Sequence, residues 1–295
     1  MGAGNTAAMT DLTFSHDGVD LAVRAAGLEG APPVVLLHGL SGISGTYEPA
    51  LAALGDRYRV YALDLRGHGR STRAPGTYVL GSYAGDVAVF IESLGVPVVL
   101  AGHSLGGVIA CHLVGSRPEL ISGALLEDPP LYFDDVEIWK SSVFAQIFPP
   151  MRDAMRKMQA DGASRDEVRT FLAQTPSPAG GVMGDHVTEA MLDVRVDAFL
   201  LCDPGVWDPA IDGEALGGWD PDTPIDRPVT LLAADPAMGP AFFPEHTERF
   251  LRAAPEAEIH VIDGAPHGIH YFRTATDRYL GHLEALVARS VAVAR

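Results

Sequence analysis

Ser104 stands in Gly102-His103-Ser104-Leu105-Gly106-Gly107, directly after the apolar run 98–101 and directly before an apolar stretch with helical spacing. A serine so placed can serve as a nucleophile. A strand that reverses sharply into a helix holds residue 104 in a strained conformation, and side chains at 102 and 106 would collide with neighbouring backbone. The hydroxyl is left exposed at a helix N-terminus. There, free N–H groups and the helix dipole favour the negative charge that acyl transfer generates.

Such a serine needs a base that takes its proton during attack and returns it to the leaving alcohol. Gly264-Ala265-Pro266-His267-Gly268 supplies one beyond the last strand-like run, in a loop whose path Gly and Pro fix. His267 is taken as the base. His270, three residues on, is expected to begin the closing helix and pack there. The oxyanion donors are expected from backbone: the N–H of Leu105, and that of Leu40 in the turn His38-Gly39-Leu40-Ser41-Gly42. His38 is read as a brace for that turn. In Asp64-Leu65-Arg66-Gly67-His68-Gly69-Arg70-Ser71, Asp64 and the arginines are expected to tie loops together rather than to touch substrate.

The elements that must position these groups alternate. A hairpin over 12–25 turns at Asp17-Gly18, then a strand at 33–37, a helix at 47–54 and a strand at 59–63 follow. The spacing of Val87, Phe90, Ile91 and Leu94 predicts an amphipathic helix over 82–94. Strand 98–101, helix 105–116 and strand 121–127 come next. From 131 to 225 no strand-like run occurs; helices are expected at 136–148, 151–160, 165–174 and 188–201, between Pro- and Gly-rich joints. Strand 228–234, helix 245–253, strand 258–262 and helix 275–293 resume the alternation. This is an α/β pattern, a mostly parallel sheet flanked by helices. Its core is split into 1–130 and 226–295 around a helical cap at 131–225.

The net charge of −17, with Lys140 and Lys157 the only lysines, argues against nucleic acid and anionic membrane surfaces as partners. No run of eighteen apolar residues and no basic, apolar leader is present, so a soluble cytoplasmic protein is expected. Residues 1–6 match the myristoylation pattern formally and are read as a floppy tail. Cys111 and Cys202 lie in apolar surroundings and are read as buried reduced thiols. His103, His112, His186 and His246 show no metal-ligand spacing, so no metal is expected. Whether the chain forms a homodimer stays open.

His-Gly after one strand, Asp-x-Arg-Gly-His-Gly-x-Ser after the next, the Ser104 turn, an inserted helical segment and a late histidine resemble, in that order, the α/β-hydrolase superfamily. The resemblance spans about residues 12 to 290. It implies a triad of serine, acid and histidine beneath a mobile helical lid, with no cofactor. The common pattern places the acid about three residues past the small residue that closes the penultimate strand. Ala234 closes that strand here, and position 237 is alanine. Asp235, before Pro236, is one candidate acid. Asp128, in Leu126-Glu127-Asp128-Pro129-Pro130, is the favoured one, and its placement resembles pancreatic-type lipases and zearalenone-type lactone hydrolases. Glu127 is the third candidate; strand neighbours point to opposite sides, so Glu127 and Asp128 are not both expected to face the histidine.

Substrate choice is expected to lie in the cap. Tyr132, Trp139, Phe144, Trp207 and Trp219 are taken as its substrate-binding residues, over an apolar chamber suited to an uncharged, fairly large ester or lactone. Two other functions use the same parts. One is a hydrolase-like ligand receptor; the other is a C–C bond hydrolase or acyltransferase. Enzymes that open epoxides or release halide place aspartate where Ser104 stands, which disfavours them.

Overall fold

The computed structural model describes residues 9–293; the myristoylation-pattern match at 1–6 lies outside them. Strands β1 (Thr10–His16) and β2 (Val19–Ala26) pair antiparallel around Asp17-Gly18, both at positive φ, as a two-residue hairpin turn requires. The chain continues through β3 (Pro33–Leu37), α1 (Glu48–Leu54), β4 (Arg59–Leu63), α2 (Leu80–Leu94), β5 (Val98–His103), α3 (Leu105–Ser116) and β6 (Ile121–Glu127). After a helical excursion come β7 (Val229–Ala234), α9 (Thr247–Ala253), β8 (Glu258–Ile262) and α10 (Thr276–Val293).

The sheet has eight strands in the order β1-β2-β4-β3-β5-β6-β7-β8, antiparallel only at β1–β2 and β2–β4. Every residue of β5 and β7 is buried, as expected of strands covered on both faces. The carboxyl ends of β3, β5, β6 and β7 therefore gather along one rim. In an open α/β sheet that rim is where ligands bind.

Between β6 and β7 the chain runs through α4 (Val136–Ser141), α5 (Phe144–Ala160), α6 (Arg165–Ala173), α7 (Glu189–Leu201) and α8 (Asp208–Asp212), none of which adds a strand to the sheet. Local rules set the starts of α6 and α7. Ser164 and Glu167 form a reciprocal capping box, and the Thr188 hydroxyl accepts the Met191 N–H. One boundary differs from the sequence reading, which broke the first two helices at 149–150. The break falls instead at Ser142-Val143, where Ser142 takes an extended backbone, and α5 runs on through Pro149 and Pro150. Their fixed φ suits a helix, so the prolines cost two ladder hydrogen bonds without ending the helix. Among the described residues no helix is long and apolar enough to cross a membrane.

Candidate active site

Ser104 sits between β5 and α3 at φ 51° and ψ −115°, a conformation that L-residues adopt only when their surroundings impose it. What imposes it is close backbone packing. A Cβ on Gly102 would lie 2.1 Å from the Gly106 carbonyl oxygen, and one on Gly106 would lie 2.2 Å from that of Leu37. The Ser104 N–H donates to the Glu127 carbonyl at 2.9 Å, fixing the turn to β6. The N–H groups of Leu40 and Leu105 have no acceptor among the described residues, and both residues line the same cavity as Ser104. Two unpaired donors beside a nucleophile are what a developing oxyanion needs.

His267 lies on the rim of the same cavity, and its Nδ1–H donates to Asp128 Oδ2 at 2.7 Å. Asp128 is fully buried and, like Ser104, has positive φ, 41°. Its carboxylate also accepts the N–H groups of Ala234 (3.1 Å), Ala241 (2.8 Å) and Phe242 (3.2 Å). Asp235 stands elsewhere. It caps a short 3-10 turn through Ala237 and accepts the Gly264 N–H, which holds its carboxyl below the usual range. Glu127 faces His270 instead, so the two neighbouring carboxylates each meet a different histidine. His270 is not in the closing helix as expected; it sits buried in a 3-10 turn before α10.

The loops behind the site are tied as the sequence suggests. His38 Nε2 accepts the Leu65 N–H at 3.0 Å, and Asp64 accepts the N–H groups of Ser44 (2.7 Å) and Arg70 (3.0 Å). Arg66 makes a two-pronged pair with buried Asp86 on α2.

The cavity over Ser104 is narrow and walled mainly by apolar side chains. Trp139 and Phe144 line it, and the Phe144 ring stands 4.7 Å from that of His267. Tyr132, Trp207 and Trp219 do not, which corrects their assignment. Tyr132 turns toward α9, where Arg249 lies 4.2 Å over its ring; Trp207 packs behind Phe148, and Trp219 against His112 on α3. Each finds apolar or cationic packing away from the cavity. Phe133, Phe148, Tyr78 and Tyr83 also line it, together with the Asp134 carboxylate. Nothing in the sequence marks the two tyrosines, because the closeness of the start of α2 to the rim is a property of the assembled sheet. His103 was likewise unassigned; its ring packs 4.6 Å from that of His267, and its Nε2–H donates to the His267 carbonyl at 3.1 Å. Cys111 and Cys202 are buried free thiols, and burial raises both. No cluster suited to a metal occurs among the described residues.

A sequence profile of the Alpha/beta hydrolase family matches residues 34–279. The chain belongs to this family. A 2-(acetamidomethylene)succinate hydrolase of Mesorhizobium japonicum is 32% identical over 117 residues, 39% of this chain and 41% of that one. A bifunctional esterase/perhydrolase of Acinetobacter calcoaceticus is 38% identical over 106 residues, 35% of this chain and 38% of its own. The chain thus spans about two fifths of the length of these curated relatives. The enol-lactonase of Burkholderia xenovorans superposes with a TM-score of 0.68 at 20% identity, over 94% of this chain and 100% of that one. At that identity the likeness speaks to the α/β-hydrolase fold alone.

The buried histidines of this hydrolase fold carry a stability consequence. Burial pushes His38 down to about 4, His68 and His270 to about 3, and His103 well below its ordinary value. In the unfolded chain the same rings protonate near pH 6.5. Below that pH the unfolded state binds more protons than the folded one, so stability falls with pH, by about 1.4 kcal/mol per ring per unit. Glu127, which burial raises to about 7, opposes this for one proton only. The melting temperature by calorimetry is expected to be lower at pH 5 than at pH 7. An equal or higher value at pH 5 would contradict the burial of these rings in neutral form.

Proposed function

We propose that the protein is a serine hydrolase cleaving an ester or lactone of an uncharged, mainly apolar small molecule through an acyl-enzyme on Ser104, with residues 131–225 as its cap. The observation that carries this reading is the cavity itself. Ser104 and His267 open into a space walled by Phe133, Trp139, Phe144, Phe148, Tyr78 and Tyr83, and its lining holds no lysine or arginine. A carboxylate on the substrate would lose its hydration there without a cation to offset the loss. The narrower reading of a zearalenone-type lactonase rests on the placement of Asp128 and on the apolar cap.

Ser104 Oγ attacks the carbonyl carbon while its proton passes to His267 Nε2, and Asp128 stabilises the resulting imidazolium through Nδ1–H. The Leu40 and Leu105 N–H groups meet the negative charge on the carbonyl oxygen. Collapse breaks the bond to the alkoxide, which takes the proton from His267. Water then repeats the attack on the acyl-enzyme, and Ser104 is freed as the acid departs.

A panel of p-nitrophenyl esters, succinate half-esters and macrolactones tests both parts. Neutral esters or lactones are expected to turn over, the half-esters far more slowly, and a fluorophosphonate reagent to label Ser104 alone. Labelling elsewhere with Ser104 untouched would remove the acyl-enzyme. Preference for the anionic half-esters would remove the substrate class.

A further inference from the structure

Behind the Ser104–His267–Asp128 group lies a second buried acid–histidine pair that the proposed reaction does not use. The Glu127 carboxyl is fully buried and engages His270 twice. His270 Nδ1 stands 2.9 and 2.8 Å from its two oxygens, and the His270 backbone N–H donates to Oε1 at 2.9 Å. The backbone of the same Glu127 holds the nucleophile, its carbonyl accepting the Ser104 N–H at 2.9 Å. One residue therefore grips the serine turn with its main chain and the histidine loop with its side chain.

The surroundings leave this grip little play. The Tyr47 ring stacks on His270 at 4.4 Å and 15°, and the Tyr47 hydroxyl donates to the Leu37 carbonyl, next to the turn that carries Leu40. His103 fills the space between the two histidines, its ring 5.1 Å from that of His270 and its Nε2–H on the His267 carbonyl. A Cβ on Gly39 would meet His103 Nδ1 at 2.6 Å, so the oxyanion turn presses on the same ring. The groups facing the pair are thus His103, Asp128, His267, Tyr47 and Tyr279, with Arg195 within electrostatic reach of His270. A carboxyl and an imidazole in an apolar core are costly, and packing alone would be met by two aliphatic side chains.

We propose that Glu127 and His270 are positioning residues for this reaction. Their pairing holds the His267 loop in register with the Ser104 turn. The inference rests on His267 being the base. Burial lifts the Glu127 carboxyl and lowers the His270 ring, so the pair carries its single negative charge only toward neutral and higher pH.

The test uses Glu127→Gln and His270→Asn in the full-length protein, with an ester that the parent cleaves. The Gln side chain still accepts the His270 N–H but carries no charge; the Asn side chain still offers an N–H to Glu127. Both variants are expected to lose about tenfold or more in kcat with KM nearly unchanged, the signature of a lost transition-state arrangement. Unchanged kcat in folded Glu127→Gln, with only the melting temperature lowered, would make the pair plain core and overturn the proposal. If Glu127→Gln does not fold, His270→Asn decides through kcat. A parent that neither cleaves esters nor takes a fluorophosphonate on Ser104 would instead sink the hydrolase reading.

Discussion

Ser104→Ala is expected to lower turnover of any accepted ester by a factor on the order of 10⁴ to 10⁶ while the protein folds normally. The reaction loses its nucleophile, whereas the turn loses almost nothing. Its shape comes from Gly102 and Gly106, which pack against the carbonyls of Gly106 and Leu37, and from the N–H of residue 104, which alanine retains. Alanine takes the positive φ at a cost comparable to that of serine. Calorimetry should therefore give matching melting temperatures beside a dead enzyme. More than a tenth of the parent rate in Ser104→Ala would end the assignment.

Asp128→Asn should be the next most damaging change, on the order of 10² to 10⁴ in kcat with KM little altered. An amide offers His267 the wrong partner at one end or the other. It also disturbs the fold, because both Asp128 oxygens accept backbone N–H groups, from Ala234 and Phe242 on Oδ1 and from Ala241 on Oδ2. Whichever way the amide turns, its NH₂ faces a donor, and a loss of about 1–3 kcal/mol in stability is expected beside the loss of rate. Rate and stability should thus fall together at 128. Asp235→Asn, at a carboxylate that holds only the Ala237 and Gly264 N–H groups, should keep both near the parent values. The reverse ranking would make Asp235 the acid.

Much of this was readable from the chain because it rests on local rules. Strand ends at Leu37, Leu63, Glu127, Ala234 and Ile262 follow from apolar runs closed by polar or turn residues. The geometry of the serine turn follows from two glycines. The choice between the two candidate acids needed more: Asp128 and Asp235 end neighbouring strands and both touch the loop before α10, and only the assembled rim shows that Asp128 meets the His267 ring while Asp235 holds the Gly264 N–H. The aromatic residues show the same divide. Trp139 and Phe144 reach the cavity while Tyr132 and Trp219 do not, though all are equally apolar in sequence. Which face of a short helix turns inward depends on what packs on its other side. The second histidine pair was hidden for that reason too, since Glu127 and His270 are distant in sequence and meet only across the finished rim.

Strands β6 and β7 lie side by side, yet roughly 100 residues separate Glu127 from Val229. On the ribosome, at about 5–20 residues per second, β6 waits about 5–20 s before its neighbour is synthesised. During that interval the edge of β6 that later pairs with β7 is bare, and the Asp128 carboxylate lacks the three N–H groups that β7 and its following loop provide. The nascent chain therefore passes through a stage at which the Ser104 turn can be formed and the Asp128–His267 pair cannot, so the candidate active site is completed only late in synthesis. A truncated product ending before β7 should be a client for chaperones and proteases, never a partial enzyme.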